Sequence, residues 1–248
     1  MRIAVLEDEP TQMEHLVYTL EHQLLLSEEN VSCVTFERGE ALRRALRRET
    51  FDLLILDWNV PDLDGANLLQ WLRQQQQSDV PVIMLSSRSS QNDVAEALGF
   101  GADDYLVKPL RPLELIARIQ RLLLRNRRPK AQQSIEHFGD WVFDRPSLSV
   151  RIERPNDTQR FDLTEREFRL ALALFRKLGQ SVSRAYLMES MGNDGELSTR
   201  ALDSQIYRLR AKLGLYATRG LRLQTIYGQG YRLETTDDEN QAPSPPAT

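Results

Sequence analysis

Cysteine is almost missing from this chain: 248 residues contain one, Cys33. A single thiol forms no internal disulfide, and the same count excludes a cysteine-based zinc site. Set in the strand-like run Val31-Ser32-Cys33-Val34, it reads as an inert core thiol. Long apolar runs are also missing. No stretch reaches the roughly 18 apolar residues of a membrane span, and Met1-Arg2 leads into a strand-like run without a signal-type segment. A cytoplasmic protein with no membrane partner is therefore expected. What is present, 41% hydrophobic and 27% charged residues, is enough for two globular cores.

Charge is spread unevenly. The net value is −4, yet residues 1–124 hold 12 basic against 20 acidic residues, a net of −8. Residues 200–232 hold 7 basic residues against Asp203 alone. An acidic front and a basic stretch near the end imply two different tasks.

The front half alternates short apolar runs with helical spacing. Arg2–Leu6, Val31–Phe36, Leu53–Leu56, Val80–Leu85 and Tyr105–Val107 read as strands. Helices are expected over 11–26, around Ala41–Leu46, after Gly65, over 92–100 and over 112–124. In the last, Leu113, Ile116, Ile119, Leu122 and Leu123 share one side. Arg43, Arg44, Arg47 and Arg48 read as a solvated helix face. Five strand–helix units in about 120 residues predict an α/β, doubly wound parallel sheet.

In such a sheet, ligands bind beyond the carboxyl ends of the strands. Strand one ends at Glu7-Asp8, strand three at Asp57, strand four at Ser86 and strand five at Lys108, so these residues should meet along one rim. Crowded carboxylates without Cys or His suit a hard divalent cation, Mg²⁺ above all. A lysine opposite them supplies a mobile positive charge for phosphate, and the hydroxyl a hydrogen bond. An aspartate nucleophile, a metal and a lysine are the parts needed for phosphoryl transfer to a carboxylate.

With Glu7-Asp8, Asp57-x₃-Pro61-x₂-Asp64-Gly65, Ser86 and Gly101 to Pro109 in this order, residues 1–124 resemble the receiver domain of two-component response regulators. The resemblance implies that Asp57 accepts phosphate from a partner sensor histidine kinase. It implies that Glu7, Asp8, Asp57 and the Asn59 backbone carbonyl hold Mg²⁺. Ser86 and Tyr105 would form a switch pair, and Lys108 would bind the phosphoryl group and precede a cis peptide to Pro109. Tyr105 is also readable as an ordinary strand aromatic, Glu7 as a helix-terminus acid and Trp58 as a packing residue, while Arg88 reads either as an influence on the lifetime of the acyl phosphate or as a solvated loop residue. The chain departs from the pattern at Ser86 and Ser87, where Thr and Ala are usual. It departs again at Val94 and Gly99, where a basic and an acidic residue usually help pair two activated receivers. Asp103, Asp104, Glu114 and Arg118 are retained.

Residues 125–137, basic and containing Pro129, read as a linker. Short strands follow at Trp141–Phe143, Leu148–Ile152 and Arg160–Leu163. Thr164-Glu165-Arg166-Glu167 is a capping box opening a helix that stops at Gly179. A short helix covers 184–191. The helix over 199–213, capped by Ser198, places Leu202, Ile206, Leu209 and Leu213 in one buried stripe, with Arg200, Ser204, Tyr207 and Arg208 opposite and Arg210 and Lys212 flanking. A hairpin follows over 221–234.

Residues 138–236 thereby resemble the α+β winged-helix DNA-binding domain of the OmpR/PhoB subfamily, carried by Leu163–Phe168, Arg200-x₂-Asp203, Tyr207–Arg210 and Thr225–Arg232. The resemblance implies that the 199–213 helix enters the major groove of double-stranded promoter DNA. Arg208 would then read a base edge bidentately, with Ser204 and Tyr207 in reach of bases. Arg200, Arg210 and Thr225 would hold phosphates. Tyr227 stands where the wing often carries Arg, and acidic, Pro-rich 237–248 is expected to be a disordered tail.

The function expected is a phosphorylation-controlled DNA-binding transcriptional regulator, a homodimer on tandem half-sites when phosphorylated, with RNA polymerase a further partner. It would not be an enzyme beyond its own phosphoryl transfer and dephosphorylation. The alternative is a DNA-binding regulator whose receiver is never phosphorylated and serves as a dimerisation or ligand module. A phosphatase using Asp57 would want a second carboxylate where Asn59 stands.

Overall fold

The five apolar stretches of the front half form one parallel sheet. The computed structural model describes residues 1–24, 31–126 (backbone alone for 124–126), 135–154, 157–192, 199–217 and 220–236. It divides into two units, Met1–Gln133 and Ser134–Thr248.

In the first unit the elements run β1 Arg2–Leu6, α1 Pro10–Gln23, β2 Ser32–Phe36, α2 Gly39–Leu46, β3 Leu53–Asp57, α3 Gly65–Gln74, β4 Val82–Ser86, α4 Gln91–Gly99, β5 Asp104–Val107 and α5 Pro112–Asn126. The strand order is β2-β1-β3-β4-β5, all parallel. Successive side chains of a strand point to opposite faces, so each run feeds two cores. Ile3, Val5, Leu53, Ile55, Ile83 and Leu85 pack with Leu16 and Leu20 of α1 and Ile119 of α5. Ala4, Leu6, Leu54, Leu56, Val82 and Met84 pack on the other face with Leu42, Leu68, Leu69 and Ala97 of α2, α3 and α4. Burial on both faces is why these strands are apolar without alternation.

Four sequence expectations shift. Strand four begins at Val82 rather than Val80, because Pro81 lacks an N–H and Arg73 Nη1 donates to the Val80 carbonyl at 2.8 Å. Leu113 is 82% exposed and Leu115 is buried in its place. Leu113 lies about 120° around the helix from Ile119, off the buried side. Of the four arginines on and just after α2, Arg43 is half-buried and pairs with Glu40 at 2.9 Å, while Arg44, Arg47 and Arg48 are exposed, Arg47 with its guanidinium over Trp71. Cys33 is half-buried rather than in the core, and burial, then the nearby Glu21 carboxylate, pushes its thiol up to about 12.

The second unit opens with an antiparallel sheet, β6 Ile135–Phe138, β7 Trp141–Asp144, β8 Ser149–Arg154 and β9 Asp157–Asp162, paired in that order. Then come α6 Glu165–Arg176, β10 Ser181–Ser183, α7 Arg184–Ser190, α8 Thr199–Leu213, β11 Leu221–Ile226 and β12 Gly230–Thr235, with a second sheet ordered β10-β12-β11. The capping box of α6 forms: the Glu167 N–H donates to Thr164 Oγ1 and the Thr164 N–H to Glu167 Oε2. Phe143 packs against Phe168 and Phe175, and Leu202, Ile206, Leu209 and Leu213 of α8 are all buried in the same core.

The expected linker over 125–137 is occupied at both ends. α5 continues to Asn126, and Ile135–Phe138 is a strand. That strand has little apolar content to announce it, and its register with β7 and the packing of Phe138 define it. β9 lies at Asp157–Asp162 instead of Arg160–Leu163, and β10 was not anticipated. Residues 127–134, the Ser198 cap and the 237–248 tail lie outside the described residues.

Candidate functional site

Carboxylates of Glu7, Asp8 and Asp57 meet at the carboxyl rim of the first sheet, each offering an oxygen within 4.8 Å of the others. Asp57 closes β3, the central strand, and Glu7 and Asp8 follow β1, its neighbour. Glu7 and Asp57 are buried and Asp8 is exposed. From beyond β5, Lys108 Nζ donates to Glu7 Oε2 at 2.7 Å and to Asp57 Oδ2 at 2.6 Å. The Asn59 N–H donates to Asp57 Oδ1 at 3.1 Å. Burial, foremost, and the neighbouring Asp57 charge hold the Glu7 carboxyl above its usual range, although Lys108 opposes them. Burial works against the Lys108 ammonium, but its bonds to Asp57 and Glu7 outweigh burial and hold it above the usual lysine range. The rim therefore carries more negative charge than one lysine offsets, which fits a small cation with oxygen ligands.

The loop after Asp57 folds tightly back on it. Asp64 caps α3 by accepting from the Asn67 N–H at 2.8 Å, and the Gly65 N–H donates to the Trp58 carbonyl at 2.9 Å. A Cβ at Gly65 would lie 2.2 Å from the Asp57 carbonyl oxygen, so glycine is required by close approach. The Lys108–Pro109 bond is cis.

Ser86 ends β4 fully buried, and its Oγ accepts from the Arg88 N–H at 3.0 Å. Tyr105 is buried, and its hydroxyl donates to the Arg88 carbonyl at 2.8 Å. Trp58 packs edge-on against Tyr105, and the Arg88 guanidinium lies over the Trp58 ring, 5.1 Å from its centroid. One residue thus touches Ser86, Tyr105 and Trp58. Val94 packs against the core beneath α4, and Gly99 is exposed. Asp103 is held by Arg73, while Arg118 spans Asp104 at 3.0 Å and Glu114 at 2.9 Å.

In the second unit, Arg200, Ser204, Tyr207 and Arg208 are exposed along α8, as are Thr225 and Tyr227 on the hairpin. Ser204 donates back to the Arg200 carbonyl at 3.0 Å. Arg210 is half-buried, with Nε covered and unbonded, and Lys212 pairs with Glu167 at 2.8 Å. Asp203 does not simply interrupt the basic face. It accepts from the Tyr231 hydroxyl and lies 3.5 Å from Arg184. Burial first, then that carboxylate, pushes the Tyr231 hydroxyl up to about 12.

Two family models match the chain: "Response regulator receiver domain" over residues 3–120 and "Transcriptional regulatory protein, C terminal" over 158–233. The phosphate regulon transcriptional regulatory protein PhoB of Rhizobium meliloti is 34% identical over 236 residues, covering 94% of this chain and 99% of PhoB. The chain is a response regulator of the OmpR/PhoB family. The cell cycle response regulator CtrA of Brucella ovis is 30% identical across 96% of this chain and 98% of CtrA. Among solved structures, the response regulator DrrB of Thermotoga maritima is 29% identical, covering 94% of this chain and 98% of DrrB, with a TM-score of 0.43.

This response regulator is accordingly a phosphorylation-controlled transcription regulator rather than a classical enzyme. The receiver pairs it with a histidine kinase, and the C-terminal domain pairs it with DNA. No helix among the described residues is long and apolar enough to cross a membrane. Reasoning from sequence missed Arg73 and named Arg88 without its bonds to Ser86 and Tyr105. Arg88 works largely through its backbone, which leaves no mark in residue type. Arg73 gathers the Ser78, Val80 and Gly101 carbonyls and Asp103, a role no motif signals.

Proposed function

We propose that Asp57 is the phosphoacceptor of this response regulator, and that the bridge from Lys108 to Asp57 and Glu7 is the observation that carries the reading. A carboxylate oxygen of Asp57 attacks the phosphorus of a kinase phosphohistidine; the P–O bond forms as the P–N bond breaks. The Asn59 N–H on Oδ1 and Lys108 on Oδ2 orient the nucleophile. Glu7, Asp8, Asp57 and the Asn59 backbone carbonyl would hold Mg²⁺, which when bound offsets the charge of the incoming phosphoryl group.

The new group carries about two negative charges where the carboxylate carried one, and brings three acceptor oxygens. Lys108 can turn toward it. The Ser86 oxygen already accepts from Arg88, so its own proton is the one to donate to a phosphoryl oxygen. Moving Ser86 disturbs Arg88, and through Arg88 the Tyr105 hydroxyl. That chain of contacts is the proposed switch.

The reading continues to the output. Phosphorylated molecules pair as a homodimer on tandem half-sites, with Asp104, Glu114 and Arg118 supplying the remaining charge network. α8 enters the major groove, Arg208 reads a base edge, and Arg200 holds a phosphate. Half-burial of Arg210 gives it a smaller share. RNA polymerase is the partner of the DNA-bound form, in the cytoplasm. The domain division proposed with it is a receiver ending with α5 at Asn126 and a DNA-binding domain beginning at β6.

Intact mass after incubation with Mg²⁺ and acetyl phosphate tests the proposal. A single phosphoryl adduct is expected on the native chain and none on Asp57→Asn. An adduct on the variant would overturn the assignment. No adduct on either, with DNA binding retained, would favour a regulator that works without phosphorylation.

A further inference from the structure

Over residues 38–48 the chain reverses the charge of its receiver. Five arginines stand there against Glu40, a net of +4, while the rest of residues 1–124 holds 7 basic and 19 acidic residues, a net of −12. Glu40 is taken by Arg43. Arg44, Arg47 and Arg48 are exposed and pair with no carboxylate among the described residues. Arg43 and Arg47 stand four residues apart, and so do Arg44 and Arg48, the spacing at which like charges on a helix repel. A helix dipole favours cations in the last turn, but it gives no reason for the absence of acids to offset them.

The neighbouring helix extends the same surface. α2 packs beside α3 through Leu42, Leu68 and Leu69, and the Arg47 guanidinium lies over the Trp71 ring, 5.7 Å from its centroid. One turn from Trp71 on α3, Asn67, Gln74 and Gln75 are exposed. From Gly65 to Ser78 the chain has no acidic residue, and its one cation, Arg73, is engaged with Asp103 and three carbonyls. Guanidinium groups flanked by carboxamides, with no carboxylate among them, offer hydrogen-bond donors suited to phosphate oxygens. Stacking on a buried indole holds the planar fork of Arg47 in place before any ligand arrives.

We propose that the α2–α3 face of the receiver binds phosphates of the DNA backbone outside the segment held by the C-terminal domain, an accessory contact that carries no sequence information. DNA is the polyanion this chain already engages. It repels the acidic remainder of the receiver, so this is the face that can approach it. Sharing a chain with the DNA-binding domain gives the face a high effective concentration of flanking DNA, and contacts too weak to bind alone then add to affinity. The inference rests on the C-terminal domain binding DNA through α8. An acidic protein segment on the same face is the competing outcome.

The test is fluorescence anisotropy of the full chain across a salt series on two mixed-sequence duplexes, one the length of a single helical turn and one several turns long. Glutamine matches arginine in helix propensity, so a chain carrying Arg44→Gln, Arg47→Gln and Arg48→Gln together should keep a near-native urea midpoint. On the long duplex its slope of log affinity against log salt should be shallower than native by about 0.9 for each arginine that meets a phosphate. The two lines should converge as salt rises. On the short duplex native and variant should coincide. The corresponding triple lysine variant keeps the charge and should restore most of the slope. An unchanged slope on the long duplex overturns the proposal and leaves the face to an acidic protein. Equal losses on both duplexes also overturn it, because they report only the altered net charge. Arg208→Ala separates the two readings. If it weakens binding while the triple glutamine variant does not, only the receiver contact falls; if it leaves both duplexes bound as tightly as native, the α8 reading falls.

Discussion

Lys108 Nζ lies 2.6 Å from Asp57 Oδ2, so the ammonium already sits on one of the carboxylates that could hold a divalent cation. Lysine and metal compete. Lys108→Ala is therefore expected to bind Mg²⁺ more tightly, by roughly tenfold, since removing a unit charge at this range is worth at least about 1.4 kcal/mol. The same variant should yield less phosphoryl adduct. Titration of tryptophan fluorescence with Mg²⁺ measures the first effect, and weaker binding would contradict the competition.

Gly65 bears directly on Asp57 through the backbone. Gly65→Ala must push the Asp57 carbonyl or the start of α3 aside, because the added carbon would sit 2.2 Å from that oxygen. Overpacking against backbone costs about 1–3 kcal/mol. Urea unfolding should show a loss of that size, and an unchanged midpoint would mean the loop yields freely.

The guanidinium of Arg88 covers Trp58, which is 4% exposed. Arg88→Ala should uncover the indole and shift its emission to longer wavelength, with a stability loss of about 0.5–1 kcal/mol. Arg88→Lys, which keeps the charge but not the planar group, should fall between the two. An emission maximum that does not move would show that the ring is shielded by something else.

Glu136 is an acid-sensitive point of the second unit. Burial alone would raise its carboxyl, but the bonds from Arg176 and Arg145 outweigh burial and hold it below the usual 4.5. A depressed carboxyl stabilises the fold in full above its unfolded value and loses that contribution as pH falls through the folded value. Glu136→Gln should thus cost about 1–3 kcal/mol at neutral pH. The gap from native should close below about pH 4.5. Thermal unfolding across pH checks both, and a constant gap would rule out titration of Glu136 as the cause.

Much of the receiver was legible because a doubly buried parallel strand writes its own end: an apolar run stops, and the next polar residue faces the rim. Asp57, Ser86 and Lys108 were readable on that basis. What escaped depends on pairing rather than composition. β6 and β10 are short strands defined by β7 and β12, and the shift of β4 to Val82 follows from Arg73, a residue on another element. Asp203 looked like a lone acid on a basic face until Tyr231 and Arg184 were seen beside it.

β3 is flanked by β1 and β4, so its amides and carbonyls are engaged on both sides and Asp57 stands on the central strand of the sheet. Hydrogen exchange there requires opening of the whole receiver, whereas the loop bearing Arg88 can open alone. Phosphorylation should leave the slow exchange of β3 almost untouched and redistribute protection in the segment from Ser86 to α4. In the proposed switch the aspartate is the fixed point, and the information leaves through what moves around it.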